Sequence, residues 1–225
     1  ICSEPGASDA FTKLGLFKDE LENGKTFKDD CGEYKSNGYW CKFKSDLPNL
    51  NWSIENYRLF KQLKSEADIN FQRYLPMDCI IASDKTSYEF KFDKRAIPLA
   101  GLILPQEHIN WVISRILEYC AYLSDIGFVH CGLTPESVFI VPETHGIQIV
   151  SFYHLTRIGN KMKTVSGKYT NWYPAKVFSE KIATPQVDLE MTKRIGAYIM
   201  GDKSGIATRF RKTHNENFIN FLTQT

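Results

Sequence analysis

The sequence predicts an α+β fold in two lobes, a small mixed one followed by a mostly helical one. Three observations carry that prediction. Residues 25–105 interleave short strand-like runs with one long helical pattern. Residues 106–200 hold the two strongest helical patterns. Two short apolar strands, 137–141 and 147–151, sit between those helices as a hairpin. Segregated strands and helices of this kind fit α+β rather than alternating α/β architecture.

Each element has a local reason. Residues 8–22 form a weak amphipathic helix, with Ser8 or Asp9 as cap and Phe11, Leu14, Phe17 and Leu21 on its apolar face. Asn23-Gly24 is a turn signal that ends it. Strands over 25–30 and 39–44 flank the Gly- and Asn-containing segment 31–38. Ser53 is placed to cap a long helix over 54–75, whose apolar stripe runs through Ile54, Tyr57, Phe60, Leu63, Ala67, Phe71 and Tyr74. Pro76 stops it. Strands over 78–83 and 87–92 follow, then an extended connector from Ile97 to Leu102.

The clearest helix spans 106–126. Ile109, Val112, Ile113, Ile116, Leu117, Cys120 and Leu123 share one face, and Gly127 suits its C-terminal cap. Beyond the hairpin, a polar and basic loop covers 154–171, a helix spans about 186–200, and the tail 215–223 offers one more.

Composition excludes several classes. The chain has 225 residues, enough for one large domain or two small lobes, and its net charge is only +2. A balance so near neutral gives no reason to expect nucleic acid or an anionic membrane surface as partner. No apolar run reaches the length of a membrane span. The start at Ile1 reads as that of an excised segment, and no signal-peptide pattern is present. Six scattered cysteines show neither a CxxC pair nor a Cys/His cluster at zinc spacing. No zinc is therefore expected, and reduced cysteines point to an intracellular, cytoplasmic protein.

The most informative stretch is Gly127-Phe128-Val129-His130-Cys131-Gly132-Leu133-Thr134-Pro135-Glu136-Ser137-Val138-Phe139-Ile140, followed by Ser151-Phe152-Tyr153. It resembles the catalytic loop of protein kinases, His-Arg-Asp-Leu-Lys-Pro-x-Asn, with the later Asp-Phe-Gly. His130, Leu133, Pro135 and Phe152 match. Trp172-Tyr173-Pro174-Ala175 stands where that family ends its activation segment, and Asp188 opens the next helix as the family's aspartate does. The resemblance covers 106–200 and is looser over 25–105. It implies a bilobal protein-kinase-like fold with an N-lobe over about 1–100 and a C-lobe over about 101–225. The tail is too short for the family's usual final helices, so an abbreviated or cut C-lobe is expected.

The same resemblance implies lost chemistry. Phosphoryl transfer needs an acid in the loop, an Asn and an Asp for magnesium, and a Lys on the nucleotide phosphates. Gly132, Ser137 and Ser151 stand at the first three positions, and Cys131 and Thr134 replace the loop Arg and Lys. Neutral hydroxyls are poor substitutes for magnesium ligands. His130, Phe152 and Asp188 are the residues that would serve the fold instead. On the N-lobe, Tyr39-Trp40-Cys41-Lys42 resembles the family's Val-Ala-Ile-Lys strand, making Lys42 the candidate phosphate lysine, with Lys44 on the same face. Glu66 is its candidate ion-pair partner and Glu55 the second choice. No GxGxxG loop is present.

The expectation is a pseudokinase that binds a protein partner as a scaffold or regulatory module, without cofactor or metal. Two rivals use the same cleft. One is an atypical phosphotransferase or nucleotidyltransferase with displaced acids, for which Asp125, Glu136 and Glu143 are the places to look. The other is a metal-independent ATP sensor. The loop 157–168, with Arg157, Lys161, Lys163 and Lys168 around Thr164 and Ser166, reads as a solvated segment open to an acidic partner or to phosphorylation.

Overall fold

The computed structural model describes residues 23–45, 50–82, 86–202, 207 and 210–224. The helix expected over 8–22 lies outside them. Five strands form one antiparallel sheet: β1 (Lys25–Lys28), β2 (Glu33–Ser36), β3 (Trp40–Lys44), β4 (Asp78–Ile81) and β5 (Ser87–Lys91), in the order β1-β2-β3-β5-β4. Helix α1 (Leu50–Gln62) packs on this sheet, with α2 (Glu66–Phe71) after it. The segment 31–38 is not one connecting loop, because Glu33 to Ser36 pair with both neighbours. The alternation fits that pairing, since Tyr34 and Ser36 are buried while Glu33 and Lys35 are only partly so.

The helix expected over 54–75 is two helices and a 3-10 turn. Ser65 and Asp68 close a reciprocal capping box, in which each side chain bonds the other's backbone N–H. That local arrangement competes with continuation of the first helix and starts a new one. Ser53 is not a cap either. It is buried inside the first turn of α1, and its Oγ accepts the Phe152 N–H at 3.1 Å.

A two-residue strand, β6 (Ile97–Pro98), leads into the helical lobe and pairs with the hairpin. Helix α3 (Gln106–Asp125) then buries Ile109, Val112, Ile113, Ile116 and Leu123. Gly127 follows with φ +82°, a left-handed turn that glycine adopts without a Cβ penalty. Next come β7 (Phe128–Val129), the hairpin β8 (Val138–Val141) and β9 (Gly146–Ile149), and β10 (Thr156–Arg157), which pairs back onto β7. Helices α4 (Lys176–Glu180), α5 (Pro185–Ile199) and α6 (Glu216–Thr223) complete the lobe, and α5 lies against α3. No helix among the described residues is long and apolar enough to cross a membrane.

Aromatic rings join the lobes. Tyr119 of α3 meets the His130 ring at 5.9 Å, His130 meets Phe152 at 6.2 Å, and Phe152 meets Phe60 of α1 at 5.8 Å. Tyr57 of α1 then reaches Phe90 of β5 at 5.1 Å. Phe60, Phe90 and Phe152 are all at most 1 % exposed, so this column is part of one continuous core. Truncating its centre removes contacts to both lobes at once. Phe152→Ala is expected to cost about 3–5 kcal/mol in urea unfolding. A loss under about 1 kcal/mol would mean that Phe152 does not join the lobes.

Candidate functional site

The loop between β7 and β8 is held from below by Asp188. One turn into α5 and buried, its carboxylate accepts the His130 N–H at 2.7 Å and the Cys131 N–H at 2.8 Å. Cys131 has φ +60°, a conformation that costs a non-glycine residue energy unless its surroundings hold it. The Tyr173 hydroxyl also donates to the Cys131 carbonyl at 2.7 Å. Burial pushes the Asp188 carboxyl up to about 7, against the pull of the two N–H donors.

His130 is a packed core residue. Its Nε2 donates to the Ser151 carbonyl at 2.7 Å, while Nδ1 has no hydrogen-bond partner. Burial drives its pKa down to about 3, so the ring is neutral. Ser151 therefore presents its backbone to the loop. Ser137 is likewise committed locally: its Oγ accepts the Thr134 N–H at 2.9 Å, and its own N–H reaches Thr134 Oγ1 at 3.3 Å.

Gly132 explains itself by close approach. A Cβ built there would stand 2.7 Å from Cγ and 2.8 Å from Cβ of His154, and closer still to Cδ2. The His154 side chain fills the space that any side chain at 132 would need. Ser137 and Ser151 make the loop, Gly132 makes room, and the three do not fit a magnesium site.

The N-lobe side of the cleft is filled as well. Cys41 and Phe43 are the buried residues of β3, so Lys42 and Lys44 lie on its exposed face. Lys42 has Lys35 and Glu89 as its cross-strand neighbours. Glu66 is in the exposed first turn of α2, and Glu55 is on the outer side of α1. Among the described residues no ion pair joins Lys42 to either acid. The nucleotide-site assignment of Lys42 and Glu66 is thus off the cleft. The inward position is Phe43, and α1 presents Ser53 to the Phe152 backbone.

Phe43 belongs to a run of rings. Phe27 stacks on Tyr34 at 5.2 Å, Tyr34 meets Phe43 at 4.6 Å, and Phe43 meets Tyr88 at 5.2 Å. Phe139 of β8 packs under them, 6.1 Å from Phe27 and 5.4 Å from Phe92. A cavity of about 160 Å³ remains at the outer edge, lined by Phe27, Gly38, Arg95, Ala96, Pro98 and Leu102. Sites for ligands of drug size usually have about 300–1,000 Å³.

The β1–β2 turn closes the remaining side. Asp29 Oδ1 accepts the N–H groups of Cys31 and Gly32 at 2.8 and 3.1 Å, and Oδ2 accepts the Tyr34 hydroxyl at 3.1 Å. Turn amides that could have faced a phosphate are thereby satisfied within the turn. Burial pushes the Asp29 carboxyl up to about 6, with the nearby Glu136 adding to the shift. Asp30 reaches across the cleft to the segment after β10. It accepts Ser166 Oγ–H at 2.6 Å, the Gly167 N–H at 2.7 Å and the Lys168 N–H at 3.4 Å. Burial acts to raise the Asp30 carboxyl, and these donors outweigh it and hold it below its ordinary value.

The loop 157–168 is accordingly less solvated than expected. Ser166 is 1 % exposed and Met162 is buried. Of the three acids considered as displaced catalysts, Asp125 is exposed, and Glu143 is exposed and paired with Lys94 at 3.2 Å. Glu136 is buried but held by Lys168 Nζ at 2.6 Å and the Tyr169 hydroxyl at 2.9 Å. Sequence reasoning missed Asp29, whose partners lie within its own turn, and Asp30, Cys31 and His154, which meet partners far away in the chain. The Asp-Asp pair inside a hairpin turn was the one local signal.

The fold has clear counterparts among solved structures. Vaccinia related kinase 3 superposes with a TM-score of 0.55 at 12 % identity, over 93 % of this chain and 87 % of that one. A rhoptry kinase from Toxoplasma gondii gives 0.54 at 13 % identity, over 86 % and 64 %. ROP2 from Toxoplasma gondii, described as a virulence factor with a protein-kinase fold and no enzymatic activity, gives 0.52 at 13 % identity, over 100 % and 85 %. No sequence-family model and no curated protein matches the chain. The chain has a protein-kinase-like fold.

Two outcomes follow. Gly132→Asp restores the acid of an active loop, yet it must displace His154. A stability loss of about 1–3 kcal/mol with no phosphotransfer is expected, measured by denaturation and by phosphate release. Full stability would show that the His154 ring yields freely. The second concerns pH. The His130 pKa falls from 6.5 to about 3 on folding, so its contribution is full above pH 6.5 and declines as pH falls toward 3. His130→Phe lacks that titration. Its melting-temperature deficit against the parent at about pH 7.5 should shrink by about pH 4.5, and an unchanged deficit would contradict the neutral ring.

Proposed function

We propose that this domain is a pseudokinase: it performs no phosphoryl transfer and serves as a protein-binding or scaffold module on a kinase-like frame. The observation that carries the reading is the occupation of the cleft by the domain's own side chains. The His154 ring takes the place of a side chain at Gly132, and Phe43 takes the inward position of β3. Charge works in the same direction. Asp29, Asp30 and Glu136 converge on the turn where a triphosphate would lie, and all three act on Cys31. Bringing a polyanion to three carboxylates is repulsive, and the partly buried setting screens that repulsion less than water would.

The described absence of enzymatic activity in ROP2 is a property of that protein, and it agrees with the reading without establishing it. Loss of chemistry leaves a rigid two-lobed surface, and folds of this kind are reused for binding. The rival enzyme needs a free acid at the loop, whereas Glu136 is tied to Lys168 and Tyr169.

A thermal-shift titration with ATP tests the proposal, with and without magnesium or manganese. A ligand at a hundred times its Kd adds about 2.7 kcal/mol to the native state, a shift that is easily read. No shift in any condition is expected. A metal-dependent shift would return an enzyme to consideration, and a metal-independent one would favour a nucleotide sensor.

A further inference from the structure

The β1–β2 turn and the segment after Phe152 bring Asp30, Cys31 and His154 together. One oxygen, sulfur or nitrogen ligand atom from each lies within 4.8 Å of the other two. Cys31 Sγ is 3.0 Å from His154 Nε2. His154 Nδ1 is 2.8 Å from Thr164 Oγ1. With the Nδ1 proton donated to that hydroxyl, the Nε2 lone pair faces the thiol. A second partner that fixes ring and tautomer in this way is the usual support of a metal-bound histidine.

We propose that Asp30, Cys31 and His154 form a zinc site that fastens the β1–β2 turn of the small lobe to the cleft segment of the large one. The donor set selects the metal. One thiolate, one imidazole and one carboxylate suit zinc, whereas magnesium and calcium take oxygen shells. The Cys31–His154 distance of 3.0 Å is close to what zinc needs, and the Asp30 oxygen, within 4.8 Å of both, closes onto the ion as it binds. Tetrahedral bonds of ordinary length set ligand atoms about 3.3–3.6 Å apart. Cys31 and His154 must therefore open by about half an ångström. A carboxylate offers about four lone pairs and three of Asp30's accept Ser166, Gly167 and Lys168, which leaves about one for the metal.

The surroundings favour a cation. Asp29 and Glu136 add their charge to that of Asp30 around the thiol. Lys168 opposes them but is bonded to Glu136. Lys161 and Lys163 border the cavity on the far side of His154, and Lys163 Nζ lies over the Trp52 ring. The thiol and the ring are both buried while Asp30 is exposed, which leaves an entry side and a fourth position for water. Binding exchanges the thiol proton, released to solvent, for the cation. None of this depends on whether the cleft binds a nucleotide.

The test uses the full chain, stripped with chelator under reducing conditions and titrated with zinc chloride alone. The folded parent is expected to take up one equivalent. Cys31→Ser and His154→Gln should each weaken uptake at least tenfold, while Cys79→Ser should leave it unchanged. X-ray absorption of the zinc-loaded parent provides a measurement that no variant's folding can obscure. One sulfur at about 2.3 Å with nitrogen and oxygen at about 2.0 Å is the expected shell. No stoichiometric uptake overturns the proposal. So does a shell without sulfur or with several sulfurs, or uptake that survives in the Cys31→Ser/His154→Gln double variant.

Discussion

The carboxylate of Asp188 is the constraint on which the site rests. A loop turning through a left-handed residue at Cys131 leaves two buried N–H groups with no secondary-structure partner, and Asp188 accepts both. Without that acceptor the loop would carry unpaired donors in the core, each costing about 1–3 kcal/mol. With it, His130 points at the Ser151 backbone, which sets Phe152 against α1. The same fixed loop places Gly132 under the His154 ring. An arrangement that in an active kinase would aim acids at a substrate here aims rings at each other.

If the cleft takes no nucleotide, as proposed, its walls need other partners. Removing a nucleotide would leave exposed apolar walls and unpaired turn amides. In this chain aromatic side chains take the apolar surface, through Phe27, Tyr34, Phe43 and Phe139. Asp29 takes the amides. Asp30 then spans to Ser166 and Gly167, so the two lobes meet through hydrogen bonds as well as packing. Stacked and tilted ring pairs of this kind add about 0.5–1.5 kcal/mol each beyond burial. The closed cleft is in this way a source of stability.

Much of the helical lobe was legible in the sequence, because its signals are local. Helix α3, the hairpin, and the loop motif with His130 and Phe152 all lie within short windows, and Asp188 opens a strongly periodic helix. The small lobe was read less well. In β3 the alternation of Cys41 and Phe43 with Lys42 and Lys44 already favours an apolar inner face, but the resemblance to a lysine-bearing strand pulled the register by one residue. The break before α2 had a signature in Ser65 and Asp68 that the apolar stripe of 54–75 overrode. The meeting of Cys31 with His154 spans 123 residues and had no local sign.

Amide hydrogen exchange at Cys31, Gly32 and Gly167 tests most directly whether the domain closes its own cleft. These N–H groups are held by Asp29 and Asp30 alone, at the place where a nucleotide's phosphates would otherwise order them. The account predicts slow exchange at all three in the free protein, unchanged by magnesium and ATP. Exchange at solvent rates in the free protein, slowed once magnesium and ATP are added, would contradict it and show an open cleft that awaits its ligand.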